Sequence, residues 1–249
     1  MERESMEYDV VIVGGGPAGL SCAIKLAQLT KENPLSICLL EKGSEIGAHI
    51  LSGNVFQTTA LDELIPDWKD KNAPLTTPVK KDKIMFLTKS SGISIPAFFM
   101  PPMNNHGNYI ISLGNLCRWL ATEAENLGIE IFPGFPASEL LYQDDKVIGV
   151  RTGDMGIDEN GEKKDSYEPG IDILAKYTIL SEGCRGHLGK EVISKYGLDN
   201  GKDPQHYGIG FKEIWKIKPE NHQEGLVMHT NGWPSPSDTP AGSYLYHEI

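Results

Sequence analysis

The sequence predicts an α/β fold in which a parallel sheet comes first and a β-rich region follows. Three observations predict it. A β-branched run at residues 8–13 leads into a glycine-rich turn and then into a helix-like segment at 18–29. A second apolar run at 35–40 follows, so the chain begins as a β-α-β unit whose strands are buried on both faces. Short strand-like runs dominate after residue 207.

The composition is that of a globular protein with one large domain or two smaller ones. The chain has 249 residues, of which 39% are hydrophobic and 23% charged, and its formal charge is −11. These values exclude a disordered, collagen-like or coiled-coil chain, and the negative charge argues against a nucleic-acid partner. The sequence contains no apolar stretch long enough to span a bilayer as a helix.

The cysteines give no sign of a metal site. Cys22, Cys38, Cys117 and Cys184 are far apart and form no Cys-x-x-Cys pair. Neither a disulfide framework nor a complete iron–sulfur site can be read from this spacing. We interpret the four residues as small buried hydrophobic side chains and predict no metal ligands within the 249 residues.

The turn after the first strand fits the pattern G-x-G-x-x-G through Gly14, Gly16 and Gly19. The first glycine permits a tight turn, the second lets the backbone approach a pyrophosphate, and the third allows close helix–strand packing. Free amides at the helix start favour phosphate. Glu41 ends the second predicted strand, about 20 residues further on, where an acid accepts hydrogen bonds from a ribose. The motif predicts a dinucleotide site but does not separate FAD from NAD.

The remaining elements are predicted from periodicity and turn residues. Helices are expected at 61–68, at 113–127 and in a stretch ending at Tyr196, and a surface connection at 69–83. Strands are expected at 109–112, 129–132, 137–142, 147–152, 171–181, 207–213, 225–229 and 242–246, with a hairpin or loop at 154–169. The strand at 171–181 ends in Glu182-Gly183, which is typical of a second cofactor-facing turn in flavoproteins.

One apolar segment allows two interpretations. Residues 93–103 are broken by prolines and too short to cross a bilayer. They form either a strand and turn that cover the core, or a segment that dips into a membrane or lines the entry for an apolar substrate. The roles of His106, Arg185 and His187 stay open, because each lies in a turn where solvent exposure is equally consistent with the sequence.

Several longer runs together resemble one family. They are Gly14–Leu20, Glu41–Gly53, Pro66–Trp68, Pro102–Ile110, Ser181–Leu188, Tyr207–Trp215 and Gly242–His247. These runs are similar to the N-terminal portion of the electron transfer flavoprotein–ubiquinone oxidoreductase family. The resemblance implies a Rossmann-like FAD-binding domain of the glutathione-reductase type, formed by residues 1–78 and 105–200. It also implies part of a β-rich ubiquinone-binding domain at 79–104 and 201–249, with the C-terminal iron–sulfur domain lying beyond this chain.

The resemblance also implies site residues. The FAD-contacting residues it suggests are Val11, Ile12, Val13, Gly14, Gly15, Gly16, Pro17, Ala18, Gly19, Leu20, Ser21, Cys22, Ala23, Ile24, Lys25, Glu41, Lys42, Ser52, Gly53, Glu182 and Gly183. Ala241 and Gly242 correspond to a quinone-contacting glycine pair, although the first position is alanine here. No side chain is expected to act as an acid–base catalyst.

The implied activity is electron transfer in a respiratory chain. Reduced electron transfer flavoprotein would supply electrons, and FAD together with a 4Fe–4S cluster would pass them to ubiquinone, which becomes ubiquinol. The cluster cysteines are expected beyond Ile249, so this part alone is expected to be inactive. The family lies on one membrane surface, and the candidate segments here are 47–68 and 93–103. The expected location is the cytoplasmic face of a bacterial inner membrane, or the matrix face of the mitochondrial one if a presequence was removed.

Three alternatives stay open from the sequence. A flavin-dependent polyprenyl (geranylgeranyl) reductase-like enzyme would share the glycine motif and an apolar pocket, without an obligatory cluster. A non-catalytic flavin-binding membrane module would bind FAD without reducing a quinone. An NAD-dependent dehydrogenase would be colourless, whereas a flavoprotein is yellow.

Overall fold

The chain folds into two compact units, each built from two separate stretches of sequence. The computed structural model describes residues 3–51, 53–96, 99–236, 238–239 and 241–248. The first unit comprises Met1–Ile50 and Cys117–Ile209, and the second comprises Leu51–Leu116 and Gly210–Ile249. We call them the nucleotide unit and the β-rich unit.

Strands account for most of the regular structure. In chain order they are β1 (Ser5–Val13), β2 (Ile37–Glu41), β3 (Asn54–Phe56), β4 (Thr77–Pro78), β5 (Lys81–Leu87), β6 (Gly92–Ile95), β7 (Tyr109–Ile111), β8 (Glu130–Pro133), β9 (Ala137–Gln143), β10 (Lys146–Thr152), β11 (Met155–Ile157), β12 (Lys163–Glu168), β13 (Asp172–Leu180), β14 (Leu226–Gly232) and β15 (Gly242–Tyr246). The α-helices are α1 (Pro17–Leu29), α2 (Thr59–Leu64), α3 (Leu113–Glu125) and α4 (His187–Tyr196). Short 3-10 helices cover Pro101–Met103 and Pro219–Asn221.

The nucleotide unit is organised around a six-stranded sheet in the order β8-β2-β1-β13-β10-β9. The first four strands are parallel, and β10 and β9 are antiparallel to their neighbours. The central strand β1 is buried from Val10 to Val13, as its unbroken apolar run predicts. The predicted α/β fold is therefore confirmed. Residues 154–169 form the antiparallel hairpin β11–β12, one of the two forms expected.

The β-rich unit contains two smaller sheets, ordered β15-β14-β5-β6 and β3-β7-β4. Buried Val79, Ile110 and Val227 pack together between them. The predicted surface connection at 69–83 is wrong at its end, because β4 and the start of β5 lie within it. The sequence did not predict the start of β5, because its first side chains are polar. The strand is stabilised by pairing with β14 on one side and with β6 on the other.

The division into units differs from the domain boundaries predicted above. Residues 51–78 and 105–116 fall in the β-rich unit, because β3 and β4 both pair with β7. Residues 201–209 fall in the nucleotide unit. The assignment of these segments to an FAD-binding domain or to a ubiquinone-binding domain stays a prediction.

The strand predicted at 207–213 is wrong. Residues 202–218 have no regular secondary structure, and Ile209, Phe211 and Ile214 are about nine-tenths exposed. An extended segment becomes part of a sheet only when its backbone amides and carbonyls form hydrogen bonds with another strand. No strand in the described part of the chain pairs with this segment, so its apolar composition alone does not produce one.

The predicted helix at 61–68 is shorter and begins earlier, at Thr59–Leu64. Trp68 lies beyond its end, where the ring is buried edge-on against Tyr109 and the indole N–H donates to Asp62 at 2.7 Å. Among the described residues, no helix combines the length and apolar character needed to cross a bilayer. Leu51, Ile93 and Phe99 in the two candidate membrane segments are exposed, whereas Ala97 and Phe98 lie outside the described residues.

Two leucines of the nucleotide unit provide a matched test of this packing. Leu39 on β2 is fully buried, whereas Leu29 at the end of α1 is 70% exposed. We expect Leu39→Ala to lower the free energy of unfolding by about 2–5 kcal/mol, because it leaves a cavity in a dense core. Leu29→Ala should change it by no more than about 0.5 kcal/mol. Urea titrations of the full-length protein measure both, and equal effects would contradict this assignment of the core.

Candidate functional site

The glycine-rich turn lies where three parallel strands end. The Gly14 amide donates to the carbonyl of Leu40 at 2.8 Å, and the Ser181 amide donates to the carbonyl of Val13 at 2.8 Å. Gly14 has φ +109°, and a Cβ there would collide with the backbone of Ser181. A Cβ on Gly19 would collide with the carbonyl oxygen of Gly14, so both glycines are required by the fold itself.

Gly16 differs from these two glycines. A Cβ built on it has no heavy atom within 4 Å, so the space above its backbone is open. Gly16 is also the N-cap of α1, which has no side-chain cap and begins with Pro17. The first backbone bond at this end runs from the Leu20 amide to the Gly16 carbonyl at 3.0 Å, and the amides before it have no helical acceptor. An uncapped helix start beside an open backbone suits a phosphate.

Glu41 ends β2 beside this turn, as predicted. One carboxylate oxygen accepts the Gly15 amide at 2.8 Å, and the other accepts the Gly43 amide at 2.7 Å. These two bonds fix the orientation of the carboxylate at the edge of the sheet. Each oxygen keeps a further lone pair, which can accept a hydrogen bond from a ribose hydroxyl.

The second predicted turn, after β13, has a visible structural role. The carboxylate of Glu182 accepts the Gly189 amide at 2.8 Å and the Leu188 amide at 3.3 Å, so it caps the start of α4. Gly183 has φ +78° and open space around its Cβ position. The capping leaves the backbone of this turn as the part that can face a cofactor.

The structure shows the contacts of His187 and Arg185, the two residues of this turn whose roles the sequence left open. The Nδ1 atom of His187 lies 3.3 Å from Glu182, and its Nε2 lies 3.3 Å from the carbonyl oxygen of Ser138. The Arg185 guanidinium lies 5.0 Å from the ring centre of Tyr207, a cation–π distance. Both side chains therefore have partners within the nucleotide unit. His106 is exposed, and its backbone amide donates to the side chain of Asn104 at 3.0 Å.

The predicted FAD residues divide between the units. Val11 to Lys25, Glu41, Lys42, Glu182 and Gly183 lie in the nucleotide unit, around the ends of β1, β2 and β13. Gly53 lies in the β-rich unit, where its carbonyl accepts the Lys212 ammonium at 3.2 Å. Ser52 lies outside the described residues. Contact of these residues with a dinucleotide stays a prediction.

A second site is a cavity of about 510 Å³ in the β-rich unit. One row of paired residues crosses all four strands of the larger sheet and lines it: Tyr244, His229, Ile84 and Ile95. Gly242, Asn231 and Phe86, from the next row on the same face of the sheet, also line it, as do Met100 and Met103. The cavity is mainly apolar, with a few polar groups, as small-molecule sites usually are.

Asp82 anchors the loop that brings Met103 to this cavity. Its carboxylate accepts the Asn105 backbone amide at 2.7 Å and the Asn105 side-chain amide at 2.9 Å. The Asn105 side-chain amide also donates to the Met103 carbonyl at 3.0 Å. The run Met103-Asn104-Asn105 is thus explained by loop geometry. Residues 93–95 belong to strand β6 and residues 101–103 form a 3-10 helix, so the segment has the strand and turn of the first interpretation. Whether it also lines the entry for an apolar substrate or dips into a membrane stays a prediction.

Gly242 is needed by the sheet as well as by the cavity. It starts β15 opposite Asn231, and a Cβ there would lie 2.7 Å from the carbonyl oxygen of Thr230. Ala241, its neighbour, is exposed. The contact of these two residues with a quinone stays a prediction.

The described residues contain no cluster of three or more His, Cys, Asp or Glu side chains that could hold a metal ion. Burial raises the pKa of the Cys38 thiol to about 12 and that of Cys117 to about 11. Both therefore stay protonated near neutral pH, whereas metal ligation requires the thiolate. Cys38 and Cys117 are buried as predicted and do not suit an iron–sulfur cluster. Cys22 is only partly buried and Cys184 is exposed, so the prediction of four buried cysteines is wrong for these two.

The sheet order, the glycine turn and Glu41 define the nucleotide unit as a Rossmann-like dinucleotide-binding domain. A family profile described as an NAD(P)-binding Rossmann-like domain matches residues 12–65. A second, described as ETF-QO, ubiquinone-binding, matches residues 207–249. A solved geranylgeranyl bacteriochlorophyll reductase-like protein from Thermoplasma acidophilum has a TM-score of 0.61 and 19% identity, over 97% of this chain and 54% of its own. A flavoprotein/dehydrogenase from Cytophaga hutchinsonii has a TM-score of 0.54 and 16% identity, over 90% of this chain and 51% of its own.

The sequence relatives are more specific. The electron transfer flavoprotein-ubiquinone oxidoreductase of Pseudomonas aeruginosa is 57% identical over 99% of this chain, which covers 46% of that relative. The mitochondrial protein of the same name from Homo sapiens is 49% identical over 99% of this chain, which covers 40% of it. The chain thus spans less than half the length of these relatives. The resemblance to the N-terminal portion of this family is confirmed.

Gly16 and Gly19 separate cofactor binding from folding. We expect Gly16→Val in the full-length protein to leave the fold intact but abolish retention of a dinucleotide, because its side chain enters the open space above the turn. Gly19→Val should instead destabilise the protein, because it collides with Gly14. Far-ultraviolet circular dichroism and flavin absorbance report the two effects. A folded Gly16→Val protein with full flavin content would contradict the assignment.

Proposed function

We propose that the protein is an FAD-dependent oxidoreductase that takes electrons from electron transfer flavoprotein and reduces ubiquinone. One observation carries the proposal. The apolar cavity of the β-rich unit is lined by strands β14 and β15, which lie within the 207–249 segment matched by the ubiquinone-binding profile. The identity of 57% to a relative of that name supports the same activity.

FAD is the cofactor that we assign to the nucleotide unit. Its diphosphate would be held by the Gly14–Gly16 backbone and the uncapped start of α1, and its ribose by Glu41. Bound flavin would supply the redox chemistry, because it accepts electrons and passes them to an organic acceptor. The chain's own task is to bind and orient this group. Buried strand residues beneath the turn keep the backbone amides in place.

The quinone is the ligand that we assign to the cavity. Its volume of about 510 Å³ lies within the usual range for small-molecule sites. Ile84, Phe86 and Ile95 would contact the faces of the ring and the start of an isoprenoid chain, and Met100 and Met103 would adapt to its shape. These contacts are non-directional, so they supply affinity without fixing which way the ring carbonyls point.

The described residues contain no ligand cluster that suits the 4Fe–4S cluster implied by the resemblance, and we derive no step through it. We assign its ligands to the part of the relatives that this chain does not cover. We also propose attachment to one membrane surface through segments 47–68 and 93–103. Exposed Leu51, Ile93 and Phe99 support this, because apolar side chains at a surface favour an interface with lipid. The proposed location is the cytoplasmic face of a bacterial inner membrane, or the matrix face in mitochondria.

The polyprenyl reductase-like alternative receives support from the fold alone. At 19% identity the Thermoplasma acidophilum structure shares an architecture with this chain, and architecture does not determine the reaction. A non-catalytic flavin module would bind the cofactor and the quinone without turnover. Quinone reduction by the full-length protein, with reduced electron transfer flavoprotein as donor, discriminates among the three.

A cavity-filling substitution tests the quinone assignment directly. We expect Ile95→Trp in the full-length protein to raise the KM for a short-chain ubiquinone, because the indole occupies part of the cavity. The cost of overfilling is about 1 kcal/mol or more, which corresponds to about five-fold in KM. Flavin content should not change.

Ile157→Trp is the matched control, because Ile157 lies on the exposed hairpin strand β11 of the nucleotide unit. It should leave the KM within experimental error. If the two variants gave the same quinone kinetics, the cavity would not be the quinone site. If the wild-type protein did not reduce quinone with this donor, the proposed activity itself would fail.

A further inference from the structure

His229 is the polar side chain in the cavity wall that lacks a full set of partners. It lies on β14, in the row of residues that crosses the sheet between Tyr244 and Ile84. Its Nε2 atom lies 2.9 Å from the hydroxyl of Tyr246, but its Nδ1 atom is buried with no hydrogen-bond partner among the described residues. A buried nitrogen without a partner costs stability, and its persistence in a fold requires an explanation.

The other polar side chains near His229 are already engaged or open to water. Thr230 and Ser243 hydrogen-bond each other at 2.5 Å across β14 and β15. Asp82 is occupied by Asn105, and Asn231 is exposed. Of the described side chains that line the cavity, half-buried His229 alone has a buried nitrogen or oxygen atom without a hydrogen-bond partner.

We propose that His229, held by Tyr246, is the residue that recognises the ring oxygen of the bound quinone and of the quinol. This inference rests on the proposed function and deepens it, because it assigns a side chain that orients the ring in addition to the predicted contact at Gly242. The apolar residues of the cavity cannot distinguish a carbonyl carbon from any other position on a flat ring. One hydrogen-bonding nitrogen within an apolar wall can.

The pairing with Tyr246 lets one histidine serve both redox states of the ligand. When the Tyr246 hydroxyl donates to Nε2, Nδ1 carries the hydrogen and can donate to a quinone carbonyl, which only accepts. When Nε2–H donates to the tyrosine oxygen, Nδ1 is unprotonated and can accept from a quinol hydroxyl. Both arrangements need a neutral imidazole and a tyrosine hydroxyl, and neither requires a change in net charge.

The surroundings keep the imidazole neutral. Burial lowers the pKa of His229, and the charge of Asp82 opposes this effect only in part. Burial likewise raises the pKa of the Tyr246 hydroxyl, so it stays protonated. Tyr244 is the other titratable group in the same row, and its ring stacks on Tyr246 at 4.9 Å between centroids.

The test compares two ligands on the flavin-loaded, full-length protein by isothermal titration calorimetry. One is decylubiquinone, and the other is its arene analogue, in which both ring carbonyls are replaced by C–H. The wild-type protein should bind the quinone about ten-fold more tightly than the arene, as expected for one hydrogen bond inside an apolar site. His229→Phe keeps a flat ring but has no nitrogen, and it should bind both ligands with the affinity of the arene.

Two further variants keep the test decisive. Tyr246→Phe removes only the hydroxyl and leaves both histidine tautomers accessible, so it should reduce the preference for the quinone without abolishing it. His206→Gln alters an exposed histidine of the nucleotide unit and should change nothing. In steady-state assays His229→Phe should raise the KM for quinone about ten-fold with little change in kcat.

The inference is overturned if a folded His229→Phe protein retains the wild-type preference for the quinone. If that variant does not fold, an undiminished preference in Tyr246→Phe overturns the role of the pair. Failure of the proposed function gives a different result, in which the wild-type protein binds neither ligand or Ile95→Trp binds both as the wild type does.

Discussion

The meeting of three strand ends at Gly14 is the constraint on which the nucleotide unit depends. The turn after β1 must pass so close to the end of β13 and the start of α1 that no Cβ fits at Gly14 or at Gly19. Because the parallel strands on both sides of β1 are fixed through this point, β2 delivers Glu41 and β13 delivers Glu182 to the same edge of the sheet. Parallel sheets collect their ligand-binding turns at such an edge. The site thus follows from the packing of backbone against backbone.

This origin explains why the nucleotide site could be predicted from the sequence while the cavity could not. The glycine turn, the helix start and Glu41 follow one another within a short stretch, and each has its own residue signature. The cavity is built from a row across two pairs of strands, β5–β6 and β14–β15, and the pairs are distant from each other in sequence. Nothing local marks His229 or Tyr246 as part of a site. The resemblance to a family supplied Gly242, but the pairing of strands was needed to find the rest of the site.

The errors at the level of secondary structure have the same cause. Residues 207–213 have the composition of a strand but no partner among the described strands, so composition overstated their order. The polar start of β5 has the composition of a connection, but its pairing with β14 makes it part of a strand. For both segments the presence or absence of a pairing strand outweighed local preference. Glu182 is a different case, because its side chain caps α4, a contact that only the fold reveals, while its contact with a cofactor stays a prediction.

Gly225 links the register of the β-rich sheet to the chemistry proposed for it. Its carbonyl accepts the amides of Lys80 at 2.9 Å and Lys81 at 3.2 Å, and its own amide donates to the carbonyl of His247 at 3.1 Å. The start of β14 is thereby fixed against β5 and β15 at once, in a conformation with φ +76° that favours glycine. A slip of one residue along β14 would turn His229 to the opposite face of the sheet and bring Thr230 into its place. A hydroxyl there would lack the two-sided imidazole that can donate to one redox state and accept from the other. The position of a single turn outside the cavity therefore determines which hydrogen-bonding group the cavity contains.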